Sequence, residues 1–132
     1  MNPINYKVTE EFKRDLKRLL KKFRSLEEDL ELAKLASIGP FHIGIPNEKG
    51  ALEKKDSNAI FPIQNFCTEE LKICKLKKFA CKALKGRGVK SGVRIIYAYY
   101  VLTNTVDFIE IYFKGEAENE DKERIKQYLA GI

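Results

Sequence analysis

The chain has 132 residues, 44% hydrophobic and 33% charged, and its net charge is +6 at neutral pH. That length suits one domain, 1–132, with a real core. No apolar stretch approaches the roughly 20 residues that cross a bilayer, and residues 1–7 have no apolar signal character, so no membrane partner is expected and the expected compartment is the cytoplasm.

Residues 4–8 are short and β-prone, an opening strand. Thr9 reads as a helix N-cap, with Glu10 and Glu11 in the first turn, where the helix dipole favours acids. Phe12, Leu16, Leu19, Leu20 and Phe23 follow at helical spacing, and Lys13, Arg14, Lys17, Arg18, Lys21 and Lys22 fill the opposite face. That basic face is either solvated or placed for a phosphate backbone. A second helix is predicted from Ser25-Leu-Glu-Glu28, a capping box, after a link of about one residue. Leu26, Leu30 and Ala33 form its stripe, widened by Leu32 and Leu35, and Ser37-Ile-Gly-Pro40 ends it. The two helices should form a hairpin lying on a sheet.

Residues 39–64 read as a long loop insertion, punctuated by glycine and proline. Phe41, Ile43 and Ile45 alternate as an edge strand would, and Ile60 and Phe61 anchor the far end. His42 falls in this loop and is expected at the surface. Residues 72–84 resume β character with irregular parity, which a bulge near Lys77 and Lys78 would reconcile. Lys85-Gly-Arg-Gly-Val-Lys90 reads as a basic turn, without the Gly-Lys-Ser/Thr ending of a phosphate-binding loop. Two long strands follow, Val93 to Leu102 and Val106 to Lys114, apolar at nearly every position, as strands covered on both faces are. Asn119 is the expected N-cap of a last helix with Ile125, Tyr128, Leu129 and Ile132 on its apolar side. The order β-α-α-loop-β-β-β-α is α+β: a helical hairpin on an antiparallel sheet, with an N-terminal strand and a C-terminal helix.

The charge excess is local. Lys72, Lys75, Lys77, Lys78, Lys82, Lys85, Arg87, Lys90 and Arg94 occur with no acid between them. Such a field favours a polyanion or an acidic protein; a solvated basic surface is the plain alternative. Cys67, Cys74 and Cys81 lack the two-residue gap of a zinc knuckle, and His42 is the single histidine. The cysteines read as reduced, mostly buried small residues, and neither metal nor cofactor is expected.

Cys74-Lys-Leu-Lys77, then Lys90-Ser-Gly-Val-Arg-Ile-Ile-Tyr97, then Ile109-Glu-Ile-Tyr-Phe-Lys114 and a terminal helix resemble, in that order, the RelE/ParE superfamily of toxins. The resemblance covers residues 72–129 well, the first two helices weakly, and 39–64 not at all. It implies the toxin of a type II toxin–antitoxin pair: in the RelE branch a messenger-RNA endonuclease acting at the ribosome, in the ParE branch a non-catalytic gyrase inhibitor. A cognate antitoxin is the implied partner, in a hetero-oligomer. An inactive toxin and a plain basic RNA-binding domain are further alternatives.

Cleavage through the RNA's own 2′-OH needs a base, a stabilised phosphorane and a protonated 5′-oxygen. By resemblance, Arg94 clamps the phosphate, for which its planar fork is suited. Lys114 takes the basic position that ends the last strand, where lysine keeps the charge without the fork. Lys75 or Lys77 supplies a base, and Tyr112 stacks a nucleobase or gives a proton. Glu110 shares the face of Tyr112 and Lys114 as a weaker candidate. Lys78, Lys82, Lys85, Arg87 and Lys90 are the expected RNA contacts. A shared site requires Arg94 and Lys114 on one face. A two-residue turn would separate them; a three-residue turn at 103–105, pairing Leu102 with Val106 and Arg94 with Lys114, is expected, with a bulge.

Overall fold

The computed structural model describes residues 3–55, 58–77, 79 and 91–132. Strand β1 (Asn5–Val8) turns at Thr9 into helix α1 (Glu10–Leu20). The Thr9 hydroxyl accepts from the Phe12 backbone N–H at 3.1 Å, satisfying an otherwise orphaned donor. Phe12, Leu19 and Phe23 are buried, with Leu16 and Leu20 packed beside them.

Helix α2 (Leu26–Ala33) begins after five linking residues, not one, and without the expected capping box. Ser25 has ψ near 1°, outside the extended region that caps adopt, and its hydroxyl bonds the Asp29 carboxylate at 2.6 Å instead. The helix does not stop at Ser37-Ile-Gly-Pro40. It widens into a π-turn (Lys34–Ile38), with the Gly39 N–H bonded to the Lys34 carbonyl, and continues as α3 (Gly39–His42). Pro40 stands in the first turn of α3, where its missing N–H costs least. Leu32 and Leu35 lie outside the core, exposed.

Residues 39–64 thus hold short elements. Beyond α3, β2 (Ile45–Pro46) pairs with β3 (Leu52–Glu53), and β4 (Ile60–Pro62) joins the main sheet. The alternation at Phe41, Ile43 and Ile45 does not make a strand, because Phe41 is helical. Gly44 is required in this segment: its φ is +103°, and a Cβ would lie 2.5 Å from the Glu53 backbone. Ile60 is buried, whereas Phe61 remains exposed. His42 is not at the surface. Its Nε2 lies 2.8 Å from the Tyr97 hydroxyl, and its ring stacks on Tyr99 with centroids 4.0 Å apart.

The main sheet is completed by β5 (Leu71–Leu76), β6 (Val93–Tyr100) and β7 (Thr105–Phe113), in the order β1-β7-β6-β5-β4. Its pairings are antiparallel except that β1 runs parallel to β7, so the expected antiparallel sheet is mixed at one edge. Helices α1 and α2 follow β1, and β7 comes to lie beside β1 only after β4, β5 and β6 have been laid down from the other edge. One face packs Leu76, Ile95, Tyr97 and Phe108 against Phe12, Leu19 and Leu26. The other packs Ile73, Ile96, Ala98 and Ile109 against Ile125 of helix α4 (Lys122–Ala130). Cover on both sides explains the unbroken apolar runs and the irregular parity of β5, where Ile73 and Cys74 are both buried. Cys67 is half-buried; Cys81, Lys78 and the turn at 85–90 lie outside the described residues.

Four residues, 101–104, join β6 to β7, with Asn104 at φ 51°. Tyr100 pairs with Thr105, so the expected three-residue turn is not formed. A bulge follows: Tyr97 pairs with Phe108 but Ile96 with Glu110, leaving Ile109 unmatched. Arg94 therefore pairs with Tyr112 rather than with Lys114. The bulge is held from three sides. The Thr9 hydroxyl donates to the Phe108 carbonyl at 3.0 Å, the Arg124 guanidinium donates to the Ile109 carbonyl at 3.1 Å, and Asp15 accepts from Arg124 at 2.5 Å and from the Ile111 N–H at 3.4 Å. Helix α4 is capped by Asp121 rather than Asn119, and Ile132 is exposed instead of lying on its apolar side.

Burial, helped by the Lys54 charge, lowers the His42 pKa to about 4. In the unfolded chain His42 takes up a proton near its ordinary value of 6.5, whereas the folded chain resists until about 4. This contribution is therefore intact above pH 6.5 and is lost between 6.5 and 4, by roughly 3 kcal/mol. Urea unfolding at pH 7 and pH 4 should show a smaller drop in stability for His42→Gln than for the parent; an equal drop would contradict the assignment.

Candidate active site

The bulge decides which side chains meet. Without it Arg94 would face Ile111, and Tyr112 and Lys114 would turn to the opposite side of the sheet. With it, Arg94 of β6 and Tyr112 of β7 are cross-strand partners, and Lys77 follows directly after the last paired residue of β5. Lys75, Ile96 and Glu110 form the next row on the same face. After Lys114 the chain turns back toward α4. The result is a cleft of about 110 Å³ lined by Lys75, Lys77, Arg94, Tyr112, Lys114, Glu118 and Asn119. All five residues expected to carry the chemistry meet there. Lys78, Lys82, Lys85, Arg87 and Lys90, the expected RNA contacts, lie outside the described residues.

Lys75 is the most enclosed cation of the group. Its Nζ lies 2.7 Å from Glu120 Oε1, and the two side chains are 13% and 11% exposed. The same ammonium lies 5.8 Å from the centre of the Tyr112 ring. Burial pulls the Lys75 pKa down, but the hydrogen bond to Glu120 and the nearby Tyr112 outweigh it, and the net direction is up. Lys75 is thus a fixed positive charge at neutral pH, not a free amine. For Glu120, burial pushes up and the Lys75 hydrogen bond pulls down; the net direction is down.

Arg94 donates to the Lys77 carbonyl at 2.8 Å and, among the described residues, has no carboxylate within ion-pair distance. Its charge faces the cleft without a counter-ion among the described residues. Lys77 and Lys114 are exposed, and the Lys77 ammonium sits 4.7 Å over the Phe61 ring. The Tyr112 hydroxyl is buried and has no hydrogen-bond partner among the described residues. Burial raises its pKa, and the Lys75 charge opposes that rise. Glu110 does not line the cleft. It is buried, accepts the Asp121 N–H at 2.9 Å and anchors the start of α4, and burial raises its pKa.

Glu118, Asn119 and Glu120 are the site residues that the sequence did not reveal. Assigning Asn119 as the helix cap placed it and Glu120 on α4; with the cap at Asp121, these residues precede the helix. The basic face of α1 stays outside the site. Arg18 and Lys22 pair with Glu116 at 2.7 and 3.6 Å, and Lys13 and Arg14 with Glu10 and Glu11. The cleft lining itself carries four cations and one carboxylate, an arrangement that binds anions and steadies developing negative charge.

No family model and no curated protein matches the chain. Among solved structures it is similar to the crystal structure of the archaeal RelE-RelB complex from Pyrococcus horikoshii OT3, with a TM-score of 0.49 and 14% identity over 88% of this chain and 100% of that chain. At that level the likeness says nothing about activity, and the functional reading rests on the side chains in the cleft.

The Lys75–Glu120 pair makes a prediction of its own. Glu120→Gln removes the charge that holds the ammonium while leaving the burial that opposes it, so the Lys75 pKa should fall. An NMR titration of the lysine side chains reads this directly; an unchanged Lys75 value would remove Glu120 as its cause.

Proposed function

We propose that the protein is the toxin of a type II toxin–antitoxin pair and cleaves messenger RNA at the ribosome, without a metal, by attack of the RNA's own 2′-OH. The observation that supports this reading is the convergence of Lys75, Lys77, Arg94, Tyr112 and Lys114 in one cleft. In the reaction the 2′-oxygen bonds to phosphorus as the P–O5′ bond breaks. The products are a 2′,3′-cyclic phosphate and a 5′-hydroxyl.

Arg94, free of any carboxylate partner among the described residues, clamps the scissile phosphate with its planar fork. Lys114 and Lys77 add charge at the two sides of the phosphorane. Lys75, held charged, fixes the field and keeps Glu120 ionised. The proton of the 2′-OH passes to Glu118, the carboxylate that lines the cleft. In this reading the Tyr112 hydroxyl, which has no hydrogen-bond partner among the described residues, gives its proton to the leaving oxygen. Messenger RNA and ribosomes put this activity in the cytoplasm, and the cognate antitoxin neutralises it by covering the cations in a hetero-oligomer.

The Lys75–Glu120 pair also favours a second reading. It neutralises one cation of the set, and lysine at 114 lacks the fork, so a non-catalytic relative acting by binding, as a gyrase inhibitor or an inactive toxin, fits the same cleft.

Arg94→Ala should lower cleavage on translating ribosomes at least tenfold, about 1.4 kcal/mol of barrier, with the thermal midpoint unchanged. Cleavage mapped at parental rate in Arg94→Ala would refute its role. No cleavage by the parent, with gyrase inhibited instead, would select the second reading.

A further inference from the structure

A second cavity lies behind the sheet. Along β5, Lys72 and Cys74 alternate with Lys75, and on β6 Tyr99 stands on the face opposite Arg94. Lys72, Cys74 and Tyr99 form one wall of a cavity of about 390 Å³. Residues 39–64 supply the other wall, with Phe41 and His42 from α3, and Lys54 and Lys55 just after β3. This volume falls within the range of small-molecule sites. Its walls come largely from a segment that plays no part in the cleft.

The chemistry of the cavity has two parts. Phe41, Tyr99 and Cys74 offer apolar and aromatic surface. Lys54, Lys55 and Lys72 offer three positive charges; among the described residues no carboxylate lines the cavity and none of the three has an ion-pair partner. His42 adds no charge at neutral pH, because burial holds its pKa down to about 4. Its ring, stacked on Tyr99 and edge-on to Phe41, stiffens the aromatic wall. Three cations beside an aromatic wall, in which His42 already covers one face of Tyr99, match a ligand with a dianionic head and a planar body. The cleft opens on the other face of the sheet, so this cavity is a separate site.

We propose that this cavity binds a nucleoside monophosphate, its phosphate on Lys54, Lys55 and Lys72 and its base against Phe41 and Tyr99. This site does not depend on RNA cleavage. Calorimetric titration with AMP tests it. One AMP per chain should bind, and adenosine and inorganic phosphate should each bind at least tenfold more weakly, since each keeps half of the contacts. The double variant Lys54→Ala/Lys72→Ala should weaken AMP at least tenfold with an unchanged thermal midpoint, and Arg94→Ala should leave AMP binding as it is. Absence of AMP binding, adenosine binding as well as AMP, an unaffected double variant, or weakening by Arg94→Ala equal to that of the double variant would each overturn the proposal.

Discussion

Ile109 is the residue of β7 that has no partner in β6, and the arrangement of the cations depends on it. The hairpin at 101–104 has an even number of residues, and continued without a bulge it would put Arg94 and Tyr112 on opposite faces. The extra residue resets the register for the four pairs nearest the cleft. A bulge leaves backbone groups without ladder partners, and here they are met by three residues of two helices: Thr9 at the start of α1, Asp15 within it, and Arg124 from α4. The Arg124–Asp15 ion pair thereby ties both helical layers to the one strand that both of them cover.

The ion pairs in and around the cleft divide by exposure. Exposed pairs such as Arg18–Glu116 contribute about 0–1 kcal/mol each, because water screens them. Removing one partner of a fully buried pair costs about 3–5 kcal/mol. Lys75–Glu120, with both side chains largely enclosed, falls between these limits and, with the Asp121 N–H to Glu110 bond, fastens the 115–121 segment onto the sheet. Arg94, Lys77 and Lys114 keep their charge for an outside anion. The cleft is thus closed on one side by a satisfied pair and open on the other, where the cations have no carboxylate partner among the described residues.

The sheet separates two basic regions of different character. On the α4 face the cations surround a small cleft with a tyrosine in its wall. On the other face residues 39–64 fold over the sheet and bring lysines to an aromatic wall built on His42, Tyr97 and Tyr99. One strand serves both, because successive residues of β5 point to opposite sides.

Local signals in the sequence carried far in this chain. The Thr9 cap, the apolar face of α1 and the two apolar strands are each set by neighbours a few positions away, and each was legible; the five cleft residues were marked by the resemblance of their motifs, not by a local pattern. The capping box at Ser25, the stop at Pro40, the cap at Asn119 and the surface place of His42 rested on equally local signals, but tertiary contacts overrode them: Asp29 takes the Ser25 hydroxyl, a π-turn absorbs the proline, and the Tyr97 hydroxyl takes the imidazole. The sequence by itself determined which residues carry charge and which strands lie in the core, since composition and period decide both. Only the tertiary structure decided that the five meet, because the register of β6 on β7 depends on a single extra residue held by groups 90 or more positions away in the chain, Thr9 and Asp15.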